Sequence, residues 1–410
     1  MSIISQAFTQ KQRYAVEQYR GHIAVVAKQD KCLEPPAGYV AVQMLSAGIC
    51  GADIRVCTGQ KQFKGTDQPV TLGHEGFGMI IALGRDVHTF APGDCVIILP
   101  HTFPADHASY CTTMHICPAC IGAGHTLHRG WDIPGVFADR LIVPTDHLVR
   151  VEPLHLARAR RGAPDLLEGV FAWCEPMLCV LSAYRVLEEQ MHSLLLRNIM
   201  PGRALVIGCG PIGALHSLVL LERGFDVWLF DEVAERAGLV QRCLGKGYLF
   251  DPFAPGSYEL VVVAASSASA IHLGEALVAD RGALYLFAGL NASEREEMDT
   301  RHTFYYERIH RAAQGVLTMK EGKRVLYVGH SGYYEELAEQ AIAFVAEHAA
   351  PLSRLVTGII PGWNSSRIES PLPDASLAMP DGTPAILAVL RGMDLRTMHG
   401  KLLVLPTPLQ

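Results

Sequence analysis

The stretch Val206-Ile207-Gly208-Cys209-Gly210-Pro211-Ile212-Gly213 decides the fold of this chain. Arg203-Ala204-Leu205 leads into it as an apolar segment, and Ala214 to Leu221 follows as an apolar, helix-compatible run. A second apolar segment, Asp226-Val227-Trp228-Leu229-Phe230, closes on Asp231. The order is strand, glycine turn, helix, strand, acid. Gly208, Gly210 and Gly213 permit a turn in which other residues clash, and they let the backbone approach a pyrophosphate. Pro211 and Ile212 open the helix, whose unpaired N–H groups face the phosphates. Asp231 stands 18 residues past the last glycine, where a carboxylate accepts hydrogen bonds from an adenosine ribose. Glu232 follows it, and no Arg or Lys intervenes before Arg236. A 2′-phosphate would meet two carboxylates there, so the expectation is NAD(H) rather than NADP(H), with Arg236 stacking on adenine or reaching a phosphate.

Bulk properties bound the remaining choices. A chain of 410 residues with 49% hydrophobic composition has enough apolar side chains for two domain cores. A net charge of −6 offers no basic footprint for nucleic acid or an anionic membrane. Met1 to Arg20 is polar and lacks the apolar core of a secretory signal, and the apolar runs are too short and glycine-punctuated to span a bilayer. These readings lead us to expect a soluble, cytoplasmic protein. Eleven cysteines are then better read as metal ligands and buried thiols than as a disulfide framework.

The first half has a different texture. Tyr39-Val40-Ala41-Val42-Gln43-Met44-Leu45 and Cys95-Val96-Ile97-Ile98-Leu99 are short apolar runs broken by Gly and Pro, as in Pro92-Gly93-Asp94. That is the pattern of a β-rich domain with tight turns. It contains Gly48-Ile49-Cys50-Gly51-Ala52-Asp53 and Gly73-His74-Glu75-Gly76, with Cys174-Glu175-Pro176 just before the dinucleotide half. Cys50, His74 and Glu175 form a three-ligand zinc set with the fourth position open to water or substrate. Asp53 is placed to orient His74 as an acceptor behind the ligand.

In this order the motifs resemble the zinc-containing medium-chain dehydrogenase/reductase superfamily, most closely its sorbitol/threonine-dehydrogenase-like polyol branch. The match runs from about residue 22 to 290 and is looser beyond. The resemblance implies an α/β protein in two parts. A GroES-like β-barrel catalytic domain (residues 1–181 and, after the return near Val328-Gly329-His330-Ser331-Gly332, 329–410) encloses a Rossmann doubly wound parallel-sheet domain (182–328). It implies Cys50, His74 and Glu175 as catalytic zinc ligands, with Glu75 as the neighbour that approaches the metal or exchanges with its water. Cys174 competes with Glu175 for the third place. A small-molecule substrate and a homodimer or homotetramer are implied as well.

Two departures from the family pattern bear on chemistry. Members usually carry Ser or Thr two residues after the zinc Cys to relay the substrate proton; here Ala52 stands there, and a methyl group passes no proton. Glu75, acting through a water, becomes the replacement. Arg55 stands where many members have His, and is a candidate contact for an anionic substrate group. The second departure is the structural-zinc lobe, which in members that have it is spaced C-x2-C-x2-C-x7-C. Here Cys111, Cys117 and Cys120 are spaced C-x5-C-x2-C, Met114 fills a cysteine place, and His128 sits at the fourth-ligand spacing. These four are candidate ligands of a second zinc, with His101, His107, His115 and His125 as competing donors.

Downstream, Tyr258 to Ala265 and Gly282 to Gly289 read as buried parallel strands whose ends near Ala264 and Gly289 face the nicotinamide. Asn291 to Gly322 reads as a cofactor cover or a subunit contact. The Pro/Ser/Gly-rich tail from Ser353 to Pro384 has no evident purpose in the sequence. The function expected is hydride transfer between NAD(H) and a secondary alcohol or ketone. The missing relay leaves a net epimerisation or elimination as the rival, and a non-catalytic dinucleotide-binding protein as the other.

Overall fold

The computed structural model describes residues 13–28, 34–60, 68–104, 115–194, 201–251, 257–290, 308–310, 315–320, 322–370, 376–379, 381–393 and 400–406. The chain divides into two compact units, residues 1–102 with 127–175 and 338–410, and residues 103–126 with 176–337.

The first unit is built on strands whose side chains alternate between a buried face and a partly solvated one, the antiparallel pattern. Its main sheet runs Leu148–Arg150, Cys95–Ile98, Glu75–Leu83, Tyr39–Gly48, Lys401–Leu405, Val356–Pro361, with Arg140–Pro144 also paired to Tyr39–Gly48. Only the last two strands of that run, Lys401–Leu405 and Val356–Pro361, are parallel. A smaller sheet joins His22–Lys28, Arg13–Tyr19 and Val70–Thr71. One apolar core serves the unit, drawing on Val40, Leu72, Phe137 and, from the far end of the chain, Trp363, Ile386 and Leu402. That core explains the tail. Trp363 packs on Phe137, Arg367–Ile368 pairs with Leu377–Ala378, and five of the six residues of helix Ala385–Leu390 are buried in the unit's core.

The second unit follows from continuous β-branched runs, which suit strands buried on both faces. Its sheet order is Tyr248–Leu249, Asp226–Phe230, Arg203–Ile207, Tyr258–Val263, Val278–Leu286, Lys323–Gly329, then Gly315–Lys320. The first six are parallel and, numbered along the chain, read 3-2-1-4-5-6; the seventh is antiparallel at the edge. This is the Rossmann order, whose switch point lies between its strands 1 and 4, here Arg203–Ile207 and Tyr258–Val263. The strand read at Gly282 to Gly289 is observed as Val278–Leu286, and Lys323–Gly329 completes the parallel set before the chain leaves the unit at Leu337. The stretch 167–193 is long and apolar enough to cross a membrane, but 83% of an apolar 18-residue window within it is buried inside the protein, as befits core helices. Most of Asn291 to Gly322 lies outside the described residues.

Candidate active site

In the barrel unit the local chemistry of Gly48 to Asp53 builds one corner of the site. Cys50 caps helix Gly51–Cys57: its Sγ accepts from the Ala52 N–H at 3.4 Å, and Asp53 Oδ2 accepts from the Cys50 N–H at 3.1 Å. This reciprocal arrangement is a capping box, and it fixes both side chains. The other oxygen of the fully buried Asp53 lies 3.2 Å from His74 Nδ1. His74 is therefore held from behind by Asp53, with Cys50 as a second partner. Burial alone would lower the His74 pKa, but the charges of Asp53 and Cys50 outweigh it and raise it well above the ordinary value.

Among the described residues, the Cys, His, Asp and Glu side chains that converge as a metal-ready group are Cys50, His74 and Glu75, their ligand atoms all within 4.8 Å of one another. The group contains Glu75 where the resemblance implies Glu175. Glu175 is only partly buried, in the first turn of helix Cys174–Ser193, and has partners of its own. Its neighbour Cys174 is fully buried, and burial pushes its thiol far up, which disfavours the thiolate a metal needs. A sulfur, an imidazole and a carboxylate are a donor set that suits zinc.

A lysine absent from the sequence reading completes the site. Lys401, 1% exposed, makes an ion pair with Glu75 from 326 residues away and lies 5.5 Å over the Trp173 ring. The pair fits because residue 48 is glycine: a Cβ there would come within 2.0 Å of the Glu75 carboxylate and 2.8 Å of Lys401 Cε. A buried carboxylate next to a glycine strand was the available signal, though nothing in the sequence says which cation answers it.

His128 stands in a cluster of rings. His101 and His128 are cross-strand partners in the two-stranded ribbon His101–Thr102 with Leu127–His128. The His128 ring stacks on Trp131 at 3.9 Å and meets His74 edge-on at 5.0 Å and His101 at 4.5 Å. The reason is close backbone approach: Gly130 and Gly135 lie where a Cβ would meet Gly73 backbone atoms at 2.7 and 2.3 Å. His128 thus stands beside the metal-ready group of the barrel unit. Of the other lobe residues, Cys111 lies outside the described residues, and Cys117 and Cys120 in the second unit have their sulfurs 3.2 Å apart. Arg55 is partly buried on the Cys50-capped helix, with partners of its own.

In the second unit the glycine turn has the shape its residues demand. Gly208 adopts φ +94°, and a Cβ on Gly213 would lie 1.8 Å from the Gly208 carbonyl oxygen, so the helix Pro211–Glu222 packs directly on the turn. Gly210 caps that helix with open space where its Cβ would be. Pro211 occupies the first helical turn and Ile212 follows it. That space and the unpaired N–H groups fit a dinucleotide pyrophosphate. Asp231 Oδ2 accepts from the Cys209 N–H at 2.7 Å and Oδ1 from the Val233 N–H at 2.9 Å, while Arg236 Nη1 lies 3.6 Å from Oδ1. The acid thus clasps the glycine turn, with a half-exposed arginine at its side.

Residues 36–153 match the family described as the alcohol dehydrogenase GroES-like domain. The chain is 30% identical over 218 residues to a glucose 1-dehydrogenase of Methanocella arvoryzae, covering 50% of this chain and 55% of the relative. It is 29% identical over 202 residues to a D-altritol 5-dehydrogenase of Agrobacterium fabrum, covering 49% and 52%. These likenesses support the resemblance to the zinc-containing medium-chain dehydrogenase/reductase superfamily. The matches span about half the length of these curated relatives. The fold likeness is longer: a Haloferax mediterranei glucose dehydrogenase, solved with NADP, Zn and gluconolactone, superposes with a TM-score of 0.64 at 18% identity, covering 96% of this chain and 99% of that one. That fold likeness extends over both the GroES-like barrel and the Rossmann sheet of this chain.

Proposed function

We propose that this chain is a zinc- and NAD-dependent dehydrogenase acting on a secondary alcohol, or the corresponding ketone, of a polyol, sugar, cyclitol or amino-alcohol skeleton. The observation that carries the reading is the convergence of two metal donors, Cys50 and His74, with the Glu75 carboxylate within 4.8 Å of both and Asp53 behind the histidine. Binding a dinucleotide alone requires no such group. Relatives named for glucose and altritol oxidation support the substrate class.

Bound zinc would supply Lewis-acid polarisation of the substrate oxygen, and a bound nicotinamide would supply the hydride acceptor. The residues of the chain then have separable tasks. Cys50 and His74 would hold the ion, and Glu175 would supply the third ligand. Glu75 is already paired with Lys401, which makes it the neighbour of the ion rather than its ligand. Asp53 fixes the tautomer and plane of His74. With Ala52 offering no hydroxyl, the Glu75 carboxylate receives the alcohol proton through a water. Gly208, Gly210 and Gly213 seat the pyrophosphate, and Asp231 and Glu232 favour the free ribose hydroxyls of NAD. Arg236 beside Asp231 tempers that preference without reversing it. Cys117 and Cys120, with Cys111, are proposed donors to a second, structural zinc. The edge strand Gly315–Lys320 displays Leu317 and Met319, at 38% and 66% exposure, and supports self-association into a homodimer or homotetramer.

The test is a panel of polyols, sugar phosphates and amino alcohols assayed for NADH absorbance with the zinc-loaded protein. Net NADH formed with ketone product is expected, with kcat/KM higher for NAD than for NADP. Product formed with no net NADH would favour epimerisation or elimination instead. In the same preparations Glu175→Ala should lose bound zinc and Glu75→Ala keep it; the reverse would transfer the ligand role to Glu75.

A further inference from the structure

The ribbon that brings His128 to His74 serves no purpose in the hydride-transfer scheme above. Its construction is nevertheless elaborate. His128 and His101 are register partners, so their imidazoles stand on one face of the ribbon. The turn after it is tied tightly: the N–H groups of Trp131 and Asp132 donate to the His128 carbonyl at 3.2 and 2.7 Å, and the Asp132 carboxylate accepts from the His128 N–H at 2.8 Å. Trp131 is folded back under the His128 ring, 22° from parallel at 3.9 Å. The imidazole is thereby fixed in plane and position, with its edge 69° to the plane of His74.

Burial grades across this cluster. His74 and Glu75 are buried, whereas Cys50, His128 and Trp131 are only partly so. His128 and Trp131 are thus partly open beside the metal-ready group, while His128 Nδ1 and Trp131 Nε1 are themselves buried. An imidazole presents a donor or an acceptor according to its tautomer, which matches a hydroxyl able to be either. A site that hydrogen-bonds a substrate hydroxyl discriminates strongly against an analogue lacking it, because the site's polar group is then left unpaired.

We propose that His128 is a specificity-determining residue: held by Trp131 and His101, it binds a substrate hydroxyl adjacent to the reacting carbon and selects polyhydroxylated substrates over simple secondary alcohols. This rests on the dehydrogenase reading for its kinetic arm. Trp131 is a positioning residue, acting through the plane it gives His128.

The experiment compares D-sorbitol with 2-butanol, using the zinc-loaded protein and NAD. His128→Phe, which keeps a ring on Trp131, should lower kcat/KM for sorbitol at least tenfold more than for 2-butanol, chiefly through KM. His128→Asn, which retains a donor and an acceptor, should recover part of the loss. Equal losses on both substrates, or no loss on either, would overturn the assignment. A second arm requires no turnover. The difference in emission between wild type and Trp131→Phe isolates the Trp131 signal from the other three tryptophans. Titration with sorbitol should shift that signal, titration with 2-butanol at equal concentration should not, and His128→Phe should abolish the sorbitol response. A protein inactive on both alcohols would count against the dehydrogenase reading, while the fluorescence arm would still decide the role of His128. A Trp131 signal indifferent to sorbitol would overturn it.

Discussion

The two units build their sites by opposite means. In the Rossmann unit the residues that make and close the glycine turn lie within a short stretch of chain: Gly208, Gly210 and Gly213 make it, and Asp231 closes it through backbone N–H groups. In the barrel unit the site is assembled from pieces far apart in sequence, with Lys401 reaching Glu75 across 326 residues and Trp173 beneath it. The first site relies on backbone shape, the second on paired buried charge. A backbone site fails by steric exclusion and a charge site by exposing an uncompensated ion, so the two should break differently.

The charge site should show the largest effect. Removing one partner of a buried ion pair leaves the other without solvation, a loss of about 3–5 kcal/mol. Lys401→Ala should therefore strongly destabilise the barrel unit, read as a fall in the denaturation midpoint. Adding Glu75→Gln to Lys401→Ala should return much of the loss, since the orphaned charge disappears. A double variant no better than the single one would show that Lys401 acts through packing on Trp173 instead.

Acidification should separate the units next. In the Rossmann unit His216 and His330 are fully buried, bonded to Tyr184 and Tyr285, and burial lowers both to about 3, assisted by repulsion from His330 on the first and His310 on the second. Their folded values lie below the ordinary 6.5, so the unfolded chain binds more protons between the two. Their contribution to stability is present above about 6.5 and drains away as pH falls toward 3. In the barrel unit His74 has the opposite sign: its raised value gives a contribution complete below 6.5 and lost as pH rises through the folded value. His147, lowered to about 4 by burial and by Arg129, offsets part of this gain in acid. Hydrogen exchange on the metal-free protein from pH 7 to 4 should show the Rossmann strands losing protection first. Equal loss in both units would remove the histidines as the cause.

This contrast also sets what can be read from the sequence. The glycine turn, its acid and the strands around it were legible because spacing along the chain is spacing in space. Cys50, His74 and Asp53 were legible as short motifs for the same reason: Asp53 caps the helix that Cys50 begins. Lys401 was not, because a lysine in Gly400-Lys401-Leu402-Leu403 carries no mark of burial until strand Lys401–Leu405 pairs beside Gly48. His128 shows a related limit. Counting residues past Cys120 gave it a ligand's spacing, whereas Gly130 and Gly135 let its turn close on Gly73. The tail resisted reading because its core residues, Trp363 and Ala385 to Leu390, are separated by polar loops that hide their common face.

The smallest effects, and the finest test of the contrast, lie within the glycine turn. Gly213 and Gly210 look equivalent in the sequence but differ in what a methyl group would meet. At Gly213 it would lie 1.8 Å from the Gly208 carbonyl, so Gly213→Ala must displace the helix from the turn, at a cost of about 1–3 kcal/mol. At Gly210 it would meet no protein atom within 4 Å, and φ there is −69°, a value alanine adopts without strain. Gly210→Ala should therefore leave the denaturation midpoint close to wild type and still weaken NADH binding about tenfold, or ~1.4 kcal/mol, because the methyl fills the space needed by the pyrophosphate. Gly213→Ala should lose stability and affinity together. If Gly210→Ala binds NADH normally, the open space above the helix is not where the dinucleotide lies, and the claim that this site works by backbone shape fails at its centre.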